Sequence, residues 1–414
     1  MSPSPPPPVA TIPSVVLSVL TAVSSFRTDD EGDPAQPSKW RQRIVQFDVS
    51  HNAMALAFFA FTATLNIATR IGFPIALSTF FFILSSFVLA LCLTLTAIRT
   101  IIYPDAIRQD FGNPRLINFF FLPAIIAPIV LLTLPPPIRM YNVSQALFYV
   151  FFVYQLALSL HTYGQWLHVS NPVASVYPLL FMQTIAFFLL SILASTLNLT
   201  DQAVFLLVPG ILFWLVIFVT VFQHMTPALK SARQSPNPIF FLFLAPPAQA
   251  TIAILTLQAA RLGPMSNMPP QFLRLPSPLP WTIHSEIALY VDLFIYALLL
   301  RLLPTWLDQS FSVVWWAYVF PMSGAASAII LRYEAHPTLF WKILASVALA
   351  MAASALLIVS LLTLRGAWRG DFPKNAGCQT AYLRHYMNLN EKKAYANMSS
   401  SSFSSFSSSV TEEV

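Results

Sequence analysis

The sequence predicts an all-α polytopic membrane protein, with ten transmembrane helices arranged as five helical hairpins and the inner five lining a pore. Three observations predict it. The first is composition: of 414 residues, 56% are hydrophobic and only 9% are charged, against roughly 25% charged in an ordinary soluble domain. Mean hydropathy is +0.66. The second is a succession of uncharged or nearly uncharged runs, each long enough at about 1.5 Å per residue to cross a bilayer core. The third is the placement of proline, which alternates from run to run.

Taken in order, residues 1–45 read as a cytosolic tail. Its start, MSPSPPPP, is proline-rich and disordered by composition. Val9–Phe26 is moderately apolar, but no basic segment precedes it, which argues against a signal peptide. Lys39, Arg41 and Arg43 then give the basic flank expected on the cytosolic side of a first span. The spans are placed at 49–69, 74–98, 116–134, 143–160, 174–197, 203–223, 238–260, 283–303, 311–331 and 339–364. With both ends cytosolic, only Arg70, Arg139, Arg261, Arg274, Arg332 and Lys342 of the 22 Lys and Arg fall on the far side. That bias supports the orientation, and the sequons at Asn142 and Asn198 fall in loops it places outside. Residues 46–365 thus form one ten-helix domain, and 366–414 form a polar tail rich in serine from Ser399 to Ser409. The tail is either a featureless disordered segment or one controlled by a kinase, since added phosphates engage basic loops.

An internal repeat underlies the hairpins. FFFLP at Pro123, SVYP at Pro178, FLAPP at Pro246 and Pro247, and YVFP at Pro321 all lie early in odd-numbered runs. The expectation is an odd helix that is bent and inside, and an even helix that is straighter and outside. The first run has no such proline.

The stretch Phe311–Ser327 carries the most specific signal. Pro321 has no N–H, so one carbonyl of the preceding turn goes unpaired, which hydrocarbon tolerates only where protein or water reaches it. Phe320, Ser323, Gly324 and Ser327 share one helical face. Small polar residues under one aromatic ring suit a helix beside a water-filled path; close helix–helix packing reads the same stripe equally well.

Several function classes are excluded. The two cysteines, Cys92 and Cys378, suggest neither a disulfide framework nor a thiolate metal site, and the seven histidines make no i, i+4 pair. No nucleotide-binding or zinc-protease motif occurs. No enzyme chemistry, metal, cofactor or nucleic-acid partner is expected. The odd runs carry no Asp, Glu, Lys or Arg. Their polar groups are Ser50, Asn52, Thr62, Asn66, Asn118, Gln183, Thr184, Gln249, Thr251, Ser323 and Ser327, with His51 readily titratable. Proton-coupled pumps and cation pores generally show carboxylates there. A neutral path with basic residues near its cytosolic mouth suits an anion or a small neutral solute. Glu286 and Asp292 lie on the eighth run, where structural pairing is the favoured reading.

NFFFLP (118–123), YGQWL (163–167), Ser-Asn-Pro (170–172), VIFVTVFQ (216–223), FLAPPAQATIA (243–253) and FSVVWWAYVFPM (311–322) occur in this order. Together they resemble the tellurite-resistance/dicarboxylate transporter family, and within it the plant slow-type (guard-cell) anion channels. The resemblance covers roughly residues 40–365 and not the tails. It implies a homotrimer in which each protomer has its own pore, five inner helices within five outer ones. It implies that an inner-helix phenylalanine, here Phe320, plugs the pore. Tyr177, Pro321, Ser323, Gly324 and Ser327 are then placed on the pore, and Arg301, at the end of the eighth helix, at the cytosolic mouth or in a structural role. Two positions depart from the family. A first-helix glycine falls on Asp48, putting a carboxylate near the inner mouth, and a second pore phenylalanine falls on Ile129.

The reading is a passive channel for small inorganic anions, chloride or nitrate, in the plasma membrane with both termini cytosolic. A carrier of the same family, exporting sulfite or moving a dicarboxylate such as malate, is the alternative. A membrane scaffold with a vestigial pore is the third.

Overall fold

The computed structural model describes residues 44, 47–168, 177–232, 238–262, 277–302 and 311–369. The expectations for the two tails and for Ser-Asn-Pro (170–172) lie outside these. Among the described residues there are no strands, and ten helices are long and apolar enough to cross a membrane: Val49–Ile71, Ile75–Ile102, Leu116–Thr133, Tyr141–Trp166, Pro178–Thr196, Thr200–Gln223, Pro238–Arg261, Ile283–Arg301, Val313–Ala335 and Leu339–Arg369. They are called here the first to tenth spans.

The odd spans pack in sequence around a closed circle: first on third, third on fifth, fifth on seventh, seventh on ninth, and ninth back on first. Each even span lies outside, packed on the odd span before it. Burial follows this division. Between 61% and 100% of the most apolar stretch of each odd span is buried, against 11–39% for the even spans. Phe80, Phe87, Leu160 and Phe294 are among the large apolar side chains that the even spans leave exposed, as helices facing lipid or a second subunit do.

All five odd spans begin in the same way, with a short 3₁₀ turn that widens into an α-helix. The 3₁₀ turns are Val49–Asn52, Leu116–Phe121, Pro178–Leu180, Pro238–Phe243 and Val313–Tyr318. This refines the expected bend. Pro123, Pro246 and Pro247 lie at the very start of their α-helices, Pro178 opens its 3₁₀ turn, and Pro321 is the third residue of helix Val319–Ala335. The first-turn N–H groups of a helix have no intrahelical partner, so proline there removes nothing the helix uses. Pro128, buried in the middle of helix Leu122–Thr133, is an interior proline of an odd span and had no counterpart in the sequence pattern.

The first span shows why it needs no proline. Asp48 caps its 3₁₀ turn: one carboxylate oxygen accepts from the Ser50 backbone N–H at 3.0 Å and from the Ser50 hydroxyl, and it lies 3.0 Å from the His51 ring nitrogen. Burial pushes the Asp48 carboxyl up. The hydrogen bond and charge of His51, the Ser50 hydroxyl and the charge of Arg99 outweigh it, and the group sits below its ordinary value.

A helix that the periodicity did not reveal, Pro104–Gly112, connects the second span to the third, with its proline in the first turn. Its Asp110 pairs with Arg99, and both are buried. Burial raises the Asp110 pKa although Arg99 opposes it. Arg99 therefore belongs to the protein interior rather than to a loop.

Candidate functional site

Two cavities lie among the five odd spans. The wider, about 370 Å³, lies toward their C-terminal ends, and every odd span contributes to it at helical spacing. The first span supplies Ala60, Ala63, Asn66, Ile67 and Arg70; the third Ile129, Leu132 and Thr133; the fifth Leu189, Ile192 and Thr196; the seventh Gln249, Ile252 and Thr256; and the ninth Phe320, Gly324, Ser327 and Leu331. Spacings of three and four residues keep one face toward the axis. The narrower cavity, about 40 Å³, lies among the 3₁₀ turns and is bordered by Ser50, Phe119, Leu179, Met182, Leu242 and Val313, among others. Phe320 borders both. The residue is 3% exposed.

The structure sorts the residues singled out from the sequence. Phe320, Gly324, Ser327 and Ile129 line the wide cavity. Ser323 and Pro321 line neither cavity, and the face toward the axis is 320, 324, 327, 331 rather than one centred on 323. Ser323 is fully buried against the first span, where its carbonyl accepts from the Thr64 hydroxyl at 2.8 Å and from that of Ser327 at 2.9 Å. Tyr177 also lines neither cavity. It is extended before Pro178, as residues preceding proline are, and its ring lies 5.3 Å from the Arg115 guanidinium carbon. Arg301 is exposed at the end of the eighth span and lines neither cavity. Asp48 is turned into its own cap and away from the narrow cavity.

Three of the neutral polar groups of the odd spans tie inner helices to outer ones. Thr62 meets Ser85 at 2.8 Å, Asn52 donates to Thr96 at 3.2 Å, and Gln183 accepts from Thr162 at 3.0 Å and from its own span's neighbour Gln155 through its backbone at 3.1 Å. The hydroxyls on the wide cavity are committed as well. Thr69, Thr133, Thr196, Thr256 and Ser327 each donate to a carbonyl of their own span at 2.6–3.1 Å.

Charge in the wide cavity is cationic. Arg70 and Arg139 border it, and among the described residues no Asp or Glu is on either lining. Arg70 pairs with Glu334 at 2.9 Å. Arg139 donates to the Leu134 and Leu132 carbonyls at 2.9 and 3.2 Å, closing the C-terminal end of the third span, and burial lowers its pKa. Arg332, at the same end, pairs with Glu286 at 2.8 Å between the rings of Trp281 and Trp341. The structural pairing expected for Glu286 is therefore present. Asp292 differs: it is fully buried, and neither carboxyl oxygen meets a hydrogen-bond partner among the described residues.

Comparison with known proteins agrees with this architecture. The family model for the voltage-dependent anion channel matches residues 46–364. The chain is 28% identical over 301 residues to the S-type anion channel SLAH2 of Arabidopsis thaliana, covering 70% of this chain and 53% of that protein. To the guard cell S-type anion channel SLAC1 of the same plant it is 28% identical over 291 residues, covering 67% and 47%. The chain thus spans about half the length of these relatives.

Proposed function

The chain belongs to the voltage-dependent anion channel family, and from that premise we propose that it is a passive channel for small inorganic anions, chloride and nitrate, shut by the ring of Phe320. The observation that carries the reading is that Phe320 borders both cavities, with Arg70 and Arg139 on the wide one and no carboxylate on either lining among the described residues. An ion crosses such a closure only with its hydration shell or a replacement for it. The idealised cost of taking an ion from water into a medium of dielectric about 4 is of order 20 kcal/mol. An apolar ring that excludes water therefore stops conduction without any charged plug. Rotating or removing the ring joins the two cavities.

In this reading the 3₁₀ turns face the cytosol, both termini are cytosolic, and the membrane is the plasma membrane. Residues 46–365 are the conducting domain, and the tails 1–45 and 366–414 are where a regulatory kinase acts. The apolar faces of the even spans support assembly into a homotrimer with one pore per subunit. Arg301 serves at the cytosolic mouth or in that assembly.

The test is anion-substitution current from the purified full-length protein in planar bilayers. The reversal potential should follow the anion gradient and ignore the cation gradient. No current from either the native protein or its Phe320→Ala variant, or a reversal potential set by potassium, overturns the proposal.

A further inference from the structure

We propose that the Gln249 carboxamide is an anion-coordinating, specificity-determining group of the wide vestibule, holding a partly dehydrated monovalent inorganic anion about one helical turn from Phe320. The inference rests on the anion-channel reading and goes beyond it by naming the group that sets preference among anions.

Three observations converge on this side chain. Gln249 borders the wide cavity and is 6% exposed, yet its carboxamide makes no hydrogen bond with the described residues. Its amide atoms open onto the cavity rather than being sealed in protein, so whatever fills that space supplies their partners. Second, the competing donors are engaged: all five hydroxyls on the lining donate to carbonyls of their own spans. Among neutral groups, N–H donation into the space is left to Gln249 and the half-buried Asn66. Third, the space it occupies exists because residue 324 is glycine. A β-carbon at Gly324 would stand 2.9 Å from the Gln249 amide nitrogen, and Gly324 lies four residues beyond Phe320, on the same face.

The chemistry follows from hydration. A neutral apolar constriction ranks anions by how readily they shed water, which favours nitrate over the more strongly hydrated chloride. A fixed N–H donor beside the constriction replaces part of the lost shell, and it helps most the anion that loses most. Gln249 therefore lifts chloride relative to nitrate. It carries no formal charge, so it lowers the barrier without trapping the ion as a buried lysine or arginine would.

Bi-ionic reversal potentials, chloride against nitrate, test this on the full-length protein in planar bilayers. Gln249→Leu should raise the nitrate-over-chloride permeability ratio by about fivefold, the order expected when one hydrogen bond to a charged group differs between two ions. Gln249→Asn, which keeps a shorter amide, should fall between Leu and the native residue. If the leucine variant fails to reach the membrane, Gly324→Ala serves instead, since its methyl displaces the amide and should shift the ratio in the same direction. A native ratio in the variants, with anion current intact, overturns the role of Gln249 and leaves the channel reading standing. Absence of anion current from both the native protein and its Phe320→Ala variant overturns the channel reading itself.

Discussion

Replacing Phe320 by alanine is the perturbation on which the proposed gate stands or falls. The ring borders about 370 Å³ on one side and about 40 Å³ on the other, so its loss makes one continuous space. A phenylalanine packed on all sides loses about 3–5 kcal/mol on truncation to alanine. This one already faces cavity above and below, which puts its loss at the lower end, and the fold should survive. The gain in permeation is far larger. If accompanying water lowers the dehydration barrier by only about 4 kcal/mol, passage rises roughly a thousandfold. Macroscopic anion current divided by surface protein reads the effect directly. Phe320→Ala should conduct without any activating stimulus, and Phe320→Leu should rise less. Normal surface expression of the alanine variant with no increase in current refutes the gate and leaves the ring as packing.

Further outcomes follow from the charged groups. Arg139→Gln should roughly halve anion conductance in dilute salt and have little effect near 1 M, where the Debye length falls to about 3 Å; a salt-independent loss would mean that the end of the third span has come apart. Asp48→Ala should lower the thermal midpoint of the purified protein, at about 0.5–2 kcal/mol for a lost cap. Because the folded-state pKa of Asp48 lies below its ordinary 3.8, that stabilisation is present above this pH and is lost as the pH falls through the folded-state value. The difference between native and variant should thus be full at pH 7 and shrink in acid, and a constant difference would contradict the cap. Arg332→Lys should destabilise by about 1–3 kcal/mol, since an ammonium cannot lie flat between Trp281 and Trp341 while pairing with Glu286; an unchanged unfolding midpoint would show that the stacking contributes nothing.

The hairpin architecture was legible because it rests on long apolar periods and on proline, signals that survive in a single sequence. That Phe320, Gly324 and Ser327 share a face bordering the wide cavity was legible in their helical spacing. Ser323 was misplaced because a stripe of four residues spans a wide arc, and only the packing of the first span against it decides which edge faces the axis. The lining from the other odd spans was hidden: Ile252 and Leu189 look like any core aliphatic until the circle closes. Helix Pro104–Gly112 is too short for its period to stand out, although proline in its first turn was a usable signal. Asp48 was read as a charge at the mouth, because nothing in the order Asp-Val-Ser-His reveals that the carboxylate folds back on its own turn.

The contact between the first and ninth spans has a consequence for biosynthesis. Thr64 meets Ser327 at 2.9 Å across 263 positions of chain, and Arg70 meets Glu334 across 264. These are among the last partners to emerge from the ribosome. Until the ninth span is inserted, four inner helices form an open trough whose flank presents Thr64 and an unneutralised Arg70 to whatever lies beside it. A chain terminated before Glu334 is therefore an unsealed gutter rather than a smaller pore, and membrane quality control has a polar edge by which to recognise it. The final hairpin acts as the stave that closes the barrel, so sealing of the path and completion of synthesis become one event.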